Sequence, residues 1–253
     1  MAGRFAGKVA LVTGASGVTG GAVARAYAGE GAAVLVAGRD EGRLAELVKT
    51  IEEDGGRASA FACDVTRSAE AATMVDAAVT RYGGLHVACN AAGIFGGFAP
   101  VADYDEDTWD QVLAVNLKGV FLSMKHEIAH MRAHGGGAIV NVASNVGAHW
   151  RLAGASAYAA SKAAVSSLTR TAARDHIGDG VRINAVSPGP IDTPMSARPG
   201  ETKEERDERM RDALPIGRVA TPEEIAAAVL WLSAPESAFV VGHDHVIDGG
   251  ATA

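Results

Sequence analysis

The sequence predicts a single α/β domain in which helices cover both faces of a doubly wound parallel sheet. Short apolar runs that are typical of buried strands alternate with helical stretches along the whole chain. The first of these runs leads directly into a glycine-rich turn and then a helix. No linker or internal repeat divides the 253 residues, and the 48% hydrophobic content suffices for one large core. We therefore expect one domain over residues 1–253.

The apolar runs indicate where the strands lie, and capping residues indicate where the helices begin. Strands are predicted over residues 8–13, 32–38, 58–63, 85–89, 138–143, 181–187 and near 245–247. Asp40 is expected to cap the second helix, and Thr221 the last one. A long helix is predicted to follow Asp105 and to end before Gly135, and another to begin near Ser156. In such a sheet, ligands bind where the strands end.

Composition argues against several classes of partner. The net charge is −7 and no basic stripe is present, so we do not expect a nucleic acid partner. No run approaches the ~18 apolar residues that a membrane span needs. Cys63 and Cys89 lie in separate apolar runs and are read as buried side chains in a reducing, cytoplasmic compartment. His243 and His245 share a strand face without a further ligand nearby, so no metal site is expected.

The turn after the first strand is suited to bind a phosphate. Gly14 can make the tight turn, Gly20 can let helix and strand approach, and the helix N-terminus can hold a dinucleotide pyrophosphate. Arg39 follows the second strand, where an acidic residue would bind a ribose 2′-hydroxyl. Its guanidinium favours NADP over NAD. The alternatives are glycines that merely end a strand and an arginine that is only exposed.

Three polar residues further along the chain suggest acid–base chemistry. Tyr158 and Lys162 stand at i and i+4 of a predicted helix, so their polar ends can reach the same small molecule. A nearby ammonium can lower the tyrosine pKa from its usual value of about 10. Ser144 would emerge at the carboxyl end of the fifth strand and could hold a substrate oxygen. Taken alone, the tyrosine and lysine could also be a chance pair on a solvated helix.

Together these motifs resemble those of the classical short-chain dehydrogenase/reductase (SDR) family over nearly the whole chain, from KVALVTGAS to the terminal IDGG. The resemblance implies a Rossmann-like fold and a catalytic tetrad of Asn116, Ser144, Tyr158 and Lys162. It also implies a set of cofactor-binding residues. These are Gly14, Ser16, Gly17, Val18, Thr19, Gly20, Arg39, Asp64, Val65, Asn90, Ala92, Gly93, Tyr158, Lys162, Pro188, Gly189, Ile191 and Thr193.

The chain departs from the family pattern in two places. Val18 stands where the family has a glycine, so either the turn re-registers on Gly17 or cofactor binding is weakened; we favour re-registration. Ser144 precedes Tyr158 by one residue more than expected, which a bulge within residues 149–153 could absorb.

The resemblance implies an NADP(H)-dependent oxidoreductase, with NAD(H) as the alternative, that interconverts a ketone and a secondary alcohol. An apolar pocket of Phe95, Phe98, Trp150, Leu152 and Met195 favours a bulky or cyclic substrate. A substrate flap is expected at about 194–215, and a homotetramer is implied. Two other functions stay open: non-redox chemistry on the same fold, such as dehydration or epimerisation, and a nucleotide-binding regulatory or assembly subunit.

Overall fold

The computed structural model describes residues 3–198 and 200–253 and contains the predicted parallel sheet. Its strands are β1 (Val9–Thr13), β2 (Ala33–Gly38), β3 (Arg57–Ala62), β4 (Val87–Asn90), β5 (Gly137–Val142), β6 (Val181–Pro188) and β7 (Asp244–Ile247). They follow the order β3-β2-β1-β4-β5-β6-β7, and every neighbouring pair is parallel. The order reverses between β1 and β4, so the sheet is doubly wound and the fold prediction is confirmed.

Helices connect the strands and begin at the predicted caps. They are α1 (Val18–Gly29), α2 (Glu41–Glu53), α3 (Ser68–Tyr82), α4 (Glu106–Leu113), α5 (Gly119–Ala133), α6 (Asn145–Ala148), α7 (Ser156–His176), α8 (Lys203–Ala213) and α9 (Pro222–Ser233). The Asp40 carboxylate accepts a hydrogen bond from the Arg43 N–H, and Thr221 forms a capping box with Glu224. Among the described residues, no helix is both long and apolar enough to span a membrane.

The side chains of each strand alternate between two cores. Ala10 and Val12 of β1 pack into the core beneath α1, α2 and α9. Val9 and Leu11 pack on the opposite face, against α3, α5 and α7. This alternation follows from the twofold period of a strand, and it buries the central strands on both sides. Helices therefore cover both faces of the sheet, as predicted.

The long helix predicted after Asp105 is interrupted. A π-helical turn, Ala114–Lys118, separates α4 from α5 and contains the buried Asn116. A π-helical turn has one residue more than an α-helical turn, and this changes the direction in which the following side chains point. Here the turn lets Asn116 face the backbone of Ile94, to which it bonds in both directions.

A buried polar network lies below the carboxyl ends of β4 and β5. The Asn90 amide donates to Glu127 of α5 at 3.0 Å and to Asn141 of β5 at 3.1 Å. Asn141 donates in turn to Thr169 of α7 at 2.9 Å. Glu127 is fully buried, and its Oε1 finds no partner among the described residues. Burial raises the pKa of this carboxyl to about 7, although the bond from Asn90 opposes the rise.

The buried carboxyl should make stability depend on pH. Because the pKa of Glu127 is higher in the folded than in the unfolded chain, stability falls as the pH rises from about 5 through 7. Between pH 5.5 and 8.5 we expect the wild type to lose about 2 kcal/mol relative to Glu127→Gln. Urea unfolding at both pH values measures the difference, with Glu46→Gln on the exposed face of α2 as control. Parallel pH curves for wild type and Glu127→Gln would contradict this account.

Candidate active site

A cavity of about 1090 Å³ opens at the carboxyl ends of the strands, where the strand order reverses between β1 and β4. It collects nearly all of the predicted site residues. Lining it are Gly14, Ser16, Gly17, Val18, Thr19, Gly20, Arg39, Asp64, Val65, Ala92, Gly93, Phe95, Phe98, Ser144, Trp150, Leu152, Tyr158, Lys162, Pro188, Gly189, Ile191, Thr193 and Met195. The volume slightly exceeds the usual range for one drug-sized ligand, about 300–1,000 Å³, so a large ligand and a smaller one can share it.

The glycine turn at one end brings backbone close to backbone. A Cβ at Gly14 would lie 2.6 Å from the Ala92 nitrogen, and one at Gly20 would lie 2.4 Å from the Gly14 oxygen. Gly17 caps α1 without a side chain, and no acidic residue stands in the first turn of the helix. The N–H groups of that turn are therefore directed at an anion site, which fits the pyrophosphate of a dinucleotide.

Val18 does not strain this turn. Gly14 has a φ of +67°, whereas no residue other than glycine has a positive φ within the described chain. Gly17 is extended, with φ −89° and ψ 165°, and Val18 is the first residue of α1. The turn is thus built on Gly14 and Gly17, which is the re-registration expected from the sequence.

Ser144, Tyr158 and Lys162 meet on the wall of the cavity. Ser144 follows β5, and its hydroxyl accepts a hydrogen bond from the Val146 N–H at 3.1 Å. Tyr158 and Lys162 lie one turn apart in α7, so the predicted helix spacing is confirmed. The Lys162 ammonium is buried and donates to the Val142 carbonyl at 2.7 Å. It lies 5.8 Å from the centroid of the Tyr158 ring.

The pKa shifts of Tyr158 and Lys162 differ from the expectation that the lysine lowers the pKa of the tyrosine. Burial raises the pKa of the Tyr158 phenol, and the Ser144 hydroxyl opposes the rise only in part. Burial also lowers the pKa of Lys162 to about 8. The lysine does not lower the tyrosine pKa in this arrangement, because its ammonium is bonded to a carbonyl and not to the phenol. The phenol therefore keeps its proton at neutral pH.

Asn90 and Asn116 are the two predicted site residues that do not line the cavity. Asn90 is buried in the network with Glu127. The Asn116 amide accepts from the Ile94 N–H at 2.8 Å, and donates to the Ile94 carbonyl at 2.9 Å and to Ser161 at 3.1 Å. A Cβ at Gly93 would stand 3.4 Å from both Asn116 Oδ1 and Lys162 Nζ, so these two groups face each other across the glycine.

At the other end of the cavity, two arginines follow β2. Arg39 lines the wall as predicted, and Arg43 lies beside it on the first turn of α2. The Asp40 carboxylate is engaged in capping that helix. Asp64 also lines the wall; burial raises its pKa, but hydrogen bonds from Thr66 and the positive charge of Arg39 give a net lowering. Arg43 was not predicted from the sequence; its place in the first turn of the helix that follows β2 is the signal that could have revealed it.

The loop after Ser144 places Trp150 on the apolar part of the wall. The Trp150 N–H donates to the Asn145 carbonyl at 2.7 Å, and Gly147 turns with a φ of +119°. His149 pairs with the buried Asp244 carboxylate of β7 at 3.0 Å, which fixes the loop to the sheet.

The segment predicted to be the substrate flap, about 194–215, contains α8; residue 199 of it lies outside the described residues. Arg198, Arg209, Met210 and Leu214 line the cavity, none of them foreseen from the sequence. Within residues 3–198 and 200–253, no three His, Cys, Asp or Glu side chains are grouped so that they could hold a metal ion.

Comparisons with known proteins agree with this geometry. A family model described as enoyl-(acyl carrier protein) reductase matches residues 14–252. The chain is 41% identical over 250 residues to the cis-4-hydroxycyclohexanecarboxylate dehydrogenase of Sinomonas cyclohexanicum, covering 98% of each chain. A variant of actinorhodin polyketide ketoreductase with NADPH superposes with a TM-score of 0.92 at 35% identity, over 100% of this chain and 99% of that one. NAD+-bound xylitol dehydrogenase superposes with a TM-score of 0.91 at 33% identity, over 97% of this chain and 99% of that one.

The close approach at Gly20 gives a paired test within one helix. Gly20→Ala would force a methyl group against the Gly14 carbonyl, so we expect a loss of roughly 1–3 kcal/mol in the free energy of unfolding. Gly29→Ala, at the exposed end of α1, meets nothing within 4 Å, and we expect it to be neutral or stabilising by up to about 1 kcal/mol. Urea unfolding compares the two. Equal free energies of unfolding for the two variants would show that the glycine turn can move to accommodate the methyl group.

Proposed function

The chain belongs to the short-chain dehydrogenase/reductase family, and on that premise we propose that it is an NADP(H)-dependent oxidoreductase that interconverts a cyclic or bulky apolar ketone and its secondary alcohol. The observation that supports this most is a single cavity with a phosphate-binding turn and Arg39 at one end, and Ser144, Tyr158 and Lys162 at the other. A nicotinamide cofactor, when bound, supplies or accepts the hydride. The chain itself supplies the proton and holds the substrate.

In reduction, Tyr158 donates its phenolic proton to the carbonyl oxygen of the substrate. Its raised pKa keeps that proton in place near neutral pH, which is the state that a proton donor requires. Ser144 holds the same oxygen through its hydroxyl and stabilises the negative charge that develops there. In oxidation of the alcohol the same proton returns to Tyr158.

Lys162 and Asn116 would assist Tyr158, the proton donor. Lys162 would bind the ribose next to the nicotinamide, exchanging its bond to the Val142 carbonyl for one to a hydroxyl group. Asn116 faces Lys162 across Gly93, which suits a water between them. Such a water would carry the proton that replaces the one lost from Tyr158.

The preference for NADP(H) rests on the end of β2. Arg39 and Arg43 line the cavity there; Asp40 caps the helix and pairs with the Arg43 side chain at 3.5 Å, which leaves the positive charge of Arg39 for the expected place of the 2′-phosphate. A guanidinium binds phosphate well because its N–H groups match the oxygen geometry.

The substrate end of the cavity is apolar and partly aromatic. Phe95 lies against Phe98, with ring centroids 4.7 Å apart, and against Tyr158 at 5.1 Å. Trp150, Leu152 and Met195 complete this wall. A ring-shaped substrate suits it, and the similarity to a dehydrogenase whose name specifies a cyclohexane ring supports the same class.

A homo-oligomer, by family resemblance a tetramer, is part of the same proposal. Trp231 of α9 is 38% exposed, and Phe239 and Val241, which precede β7, are 103% and 37% exposed. Exposed large apolar side chains are typical of interfaces between protein chains when they form one patch, and these three lie close together in the C-terminal part of the sequence. Light scattering of the purified protein measures the mass directly.

The central role of Tyr158 can be tested by removing one oxygen atom. Tyr158→Phe keeps the ring that packs on Phe95 but removes the proton donor, so we expect turnover of a cyclic ketone with NADPH to fall by roughly 10²–10⁴-fold. Titration of nicotinamide fluorescence should show unchanged NADPH affinity. A variant that turns over at nearly the wild-type rate would exclude the proposed mechanism.

Cofactor preference can be tested by substitution at the end of β2. We expect Arg39→Ala to weaken NADPH binding by roughly 10- to 100-fold, because a charged hydrogen bond to the 2′-phosphate is lost. Binding of NADH should stay within about twofold, since NADH lacks that phosphate. The control is Arg25→Ala on α1, which breaks only an exposed pair with Glu223 of α9. Equal losses of affinity for NADPH and NADH would show that Arg39 does not bind the 2′-phosphate.

A further inference from the structure

The charges on the wall of the cavity are unevenly distributed. The charged residues that line it are Arg39, Arg43, Asp64, Lys162, Arg198 and Arg209. Asp64 is the one carboxylate among the described lining residues, and the nearby positive charge of Arg39, which helps to lower the Asp64 pKa, places it at the cofactor end. The other lining charges are all cations, so any carboxylates that balance them must lie behind the wall of the cavity.

Most charges of α8 and its surroundings neutralise one another. Arg206 pairs with Asp192 at 2.8 Å and with Asp207 at 2.7 Å. Lys203 bridges the same two carboxylates at 3.3 and 3.2 Å. Two cations thus meet two anions, and this cluster leaves no net charge for a ligand.

Arg209 is neutralised as well, by Glu201. Its Nε and Nη2 donate to the two carboxylate oxygens at 2.6 and 2.7 Å, and Nη2 also reaches the Ser196 carbonyl at 3.1 Å. The bond from Arg209, with help from Arg198, lowers the pKa of Glu201 to about 2. Glu205, four residues before Arg209 on α8, is not its partner, because Glu205 is used in the capping box of α8 with Thr202.

Arg198 is left with an unbalanced charge. Its backbone N–H donates to Glu201 at 2.8 Å, which fixes the position of the residue at the edge of the cavity. Its guanidinium makes no hydrogen bond or ion pair with the part of the chain that the structure describes. Glu201 has both carboxylate oxygens occupied by Arg209, so one carboxylate faces two guanidinium groups.

We propose that Arg198 binds an anionic group of the substrate, and that the substrate is an amphiphilic ketone or alcohol whose ring lies on the apolar wall while a carboxylate reaches Arg198. This inference rests on the proposed function and narrows its substrate class. Exposure of an arginine is ordinary in itself. Its place on the wall of the cavity, with the neighbouring Glu201 carboxylate already paired with Arg209, is what points to an anionic ligand.

The test compares two substrates that differ only in charge. These are 4-oxocyclohexanecarboxylate and its neutral carboxamide, each assayed with NADPH. We expect the wild type to prefer the carboxylate by roughly 10- to 100-fold in kcat/KM. Arg198→Gln should abolish that preference by raising KM for the carboxylate much more than KM for the carboxamide. Arg211→Gln, an exposed position of α8 that does not line the cavity, is the matched control.

A binding measurement separates this proposal from the proposed function. Cyclohexanecarboxylate and cyclohexanecarboxamide, which cannot be reduced, are titrated calorimetrically in the presence of NADP(H). If Arg198→Gln removes binding of the carboxylate and Arg211→Gln retains it, the anion site is supported, even where neither ketone is turned over. Absence of turnover would then count against the proposed reaction alone. Equal affinity for both compounds in the wild type, or an equal loss of both in Arg198→Gln, overturns the proposal.

Discussion

The hydrogen bonds around Asn90 hold together the elements that carry the candidate site. Asn90 ends β4, Asn141 lies opposite it in β5, Glu127 belongs to α5 and Thr169 to α7. Each element has a site residue near one end: the 90–93 turn after β4, Ser144 after β5, Asn116 just before α5 and Tyr158 in α7. Hydrophobic packing alone leaves neighbouring elements free to slide by small amounts, whereas directional bonds between buried groups fix their register.

The unpartnered oxygen of Glu127 shows that fixing these elements has a cost in stability. A carboxylate with one oxygen unpaired in an apolar core is unfavourable, and its raised pKa means that near neutral pH a fraction of the protein holds it as the neutral acid. A protonated carboxyl can still accept from Asn90 while it keeps the charge out of the core. The network therefore retains its geometry at the expense of some stability, as is common where a site needs a defined arrangement.

The features readable from the sequence were those set by local chemistry. Apolar runs located the strands, Asp40 and Thr221 revealed the starts of two helices, and the glycines revealed the turn. The π turn at Asn116 was not predicted, because it depends on contacts with Ile94, which lies far away in sequence. The same holds for the pairing of Arg209 with Glu201: several carboxylates lie within reach of Arg209 in sequence, and the helix cap had already engaged Glu205. Sequence thus predicts which residues gather at the cavity more readily than which of them bond to each other.

The pKa shifts of Tyr158 and Lys162 set the protonation state in which the site meets a ligand. Burial raises the pKa of the Tyr158 phenol, so the phenolate that oxidation of an alcohol needs is harder to reach. A nearby ammonium would stabilise the phenolate, but burial lowers the pKa of Lys162 to about 8, so the lysine has largely lost its charge before the phenol ionises. Reduction needs the neutral phenol, which is the form present near neutral pH. Because reduction and oxidation share one transition state, Tyr158 would end the reduction as the phenolate from which oxidation starts, and positive charge on a bound ligand would stabilise that form in both directions.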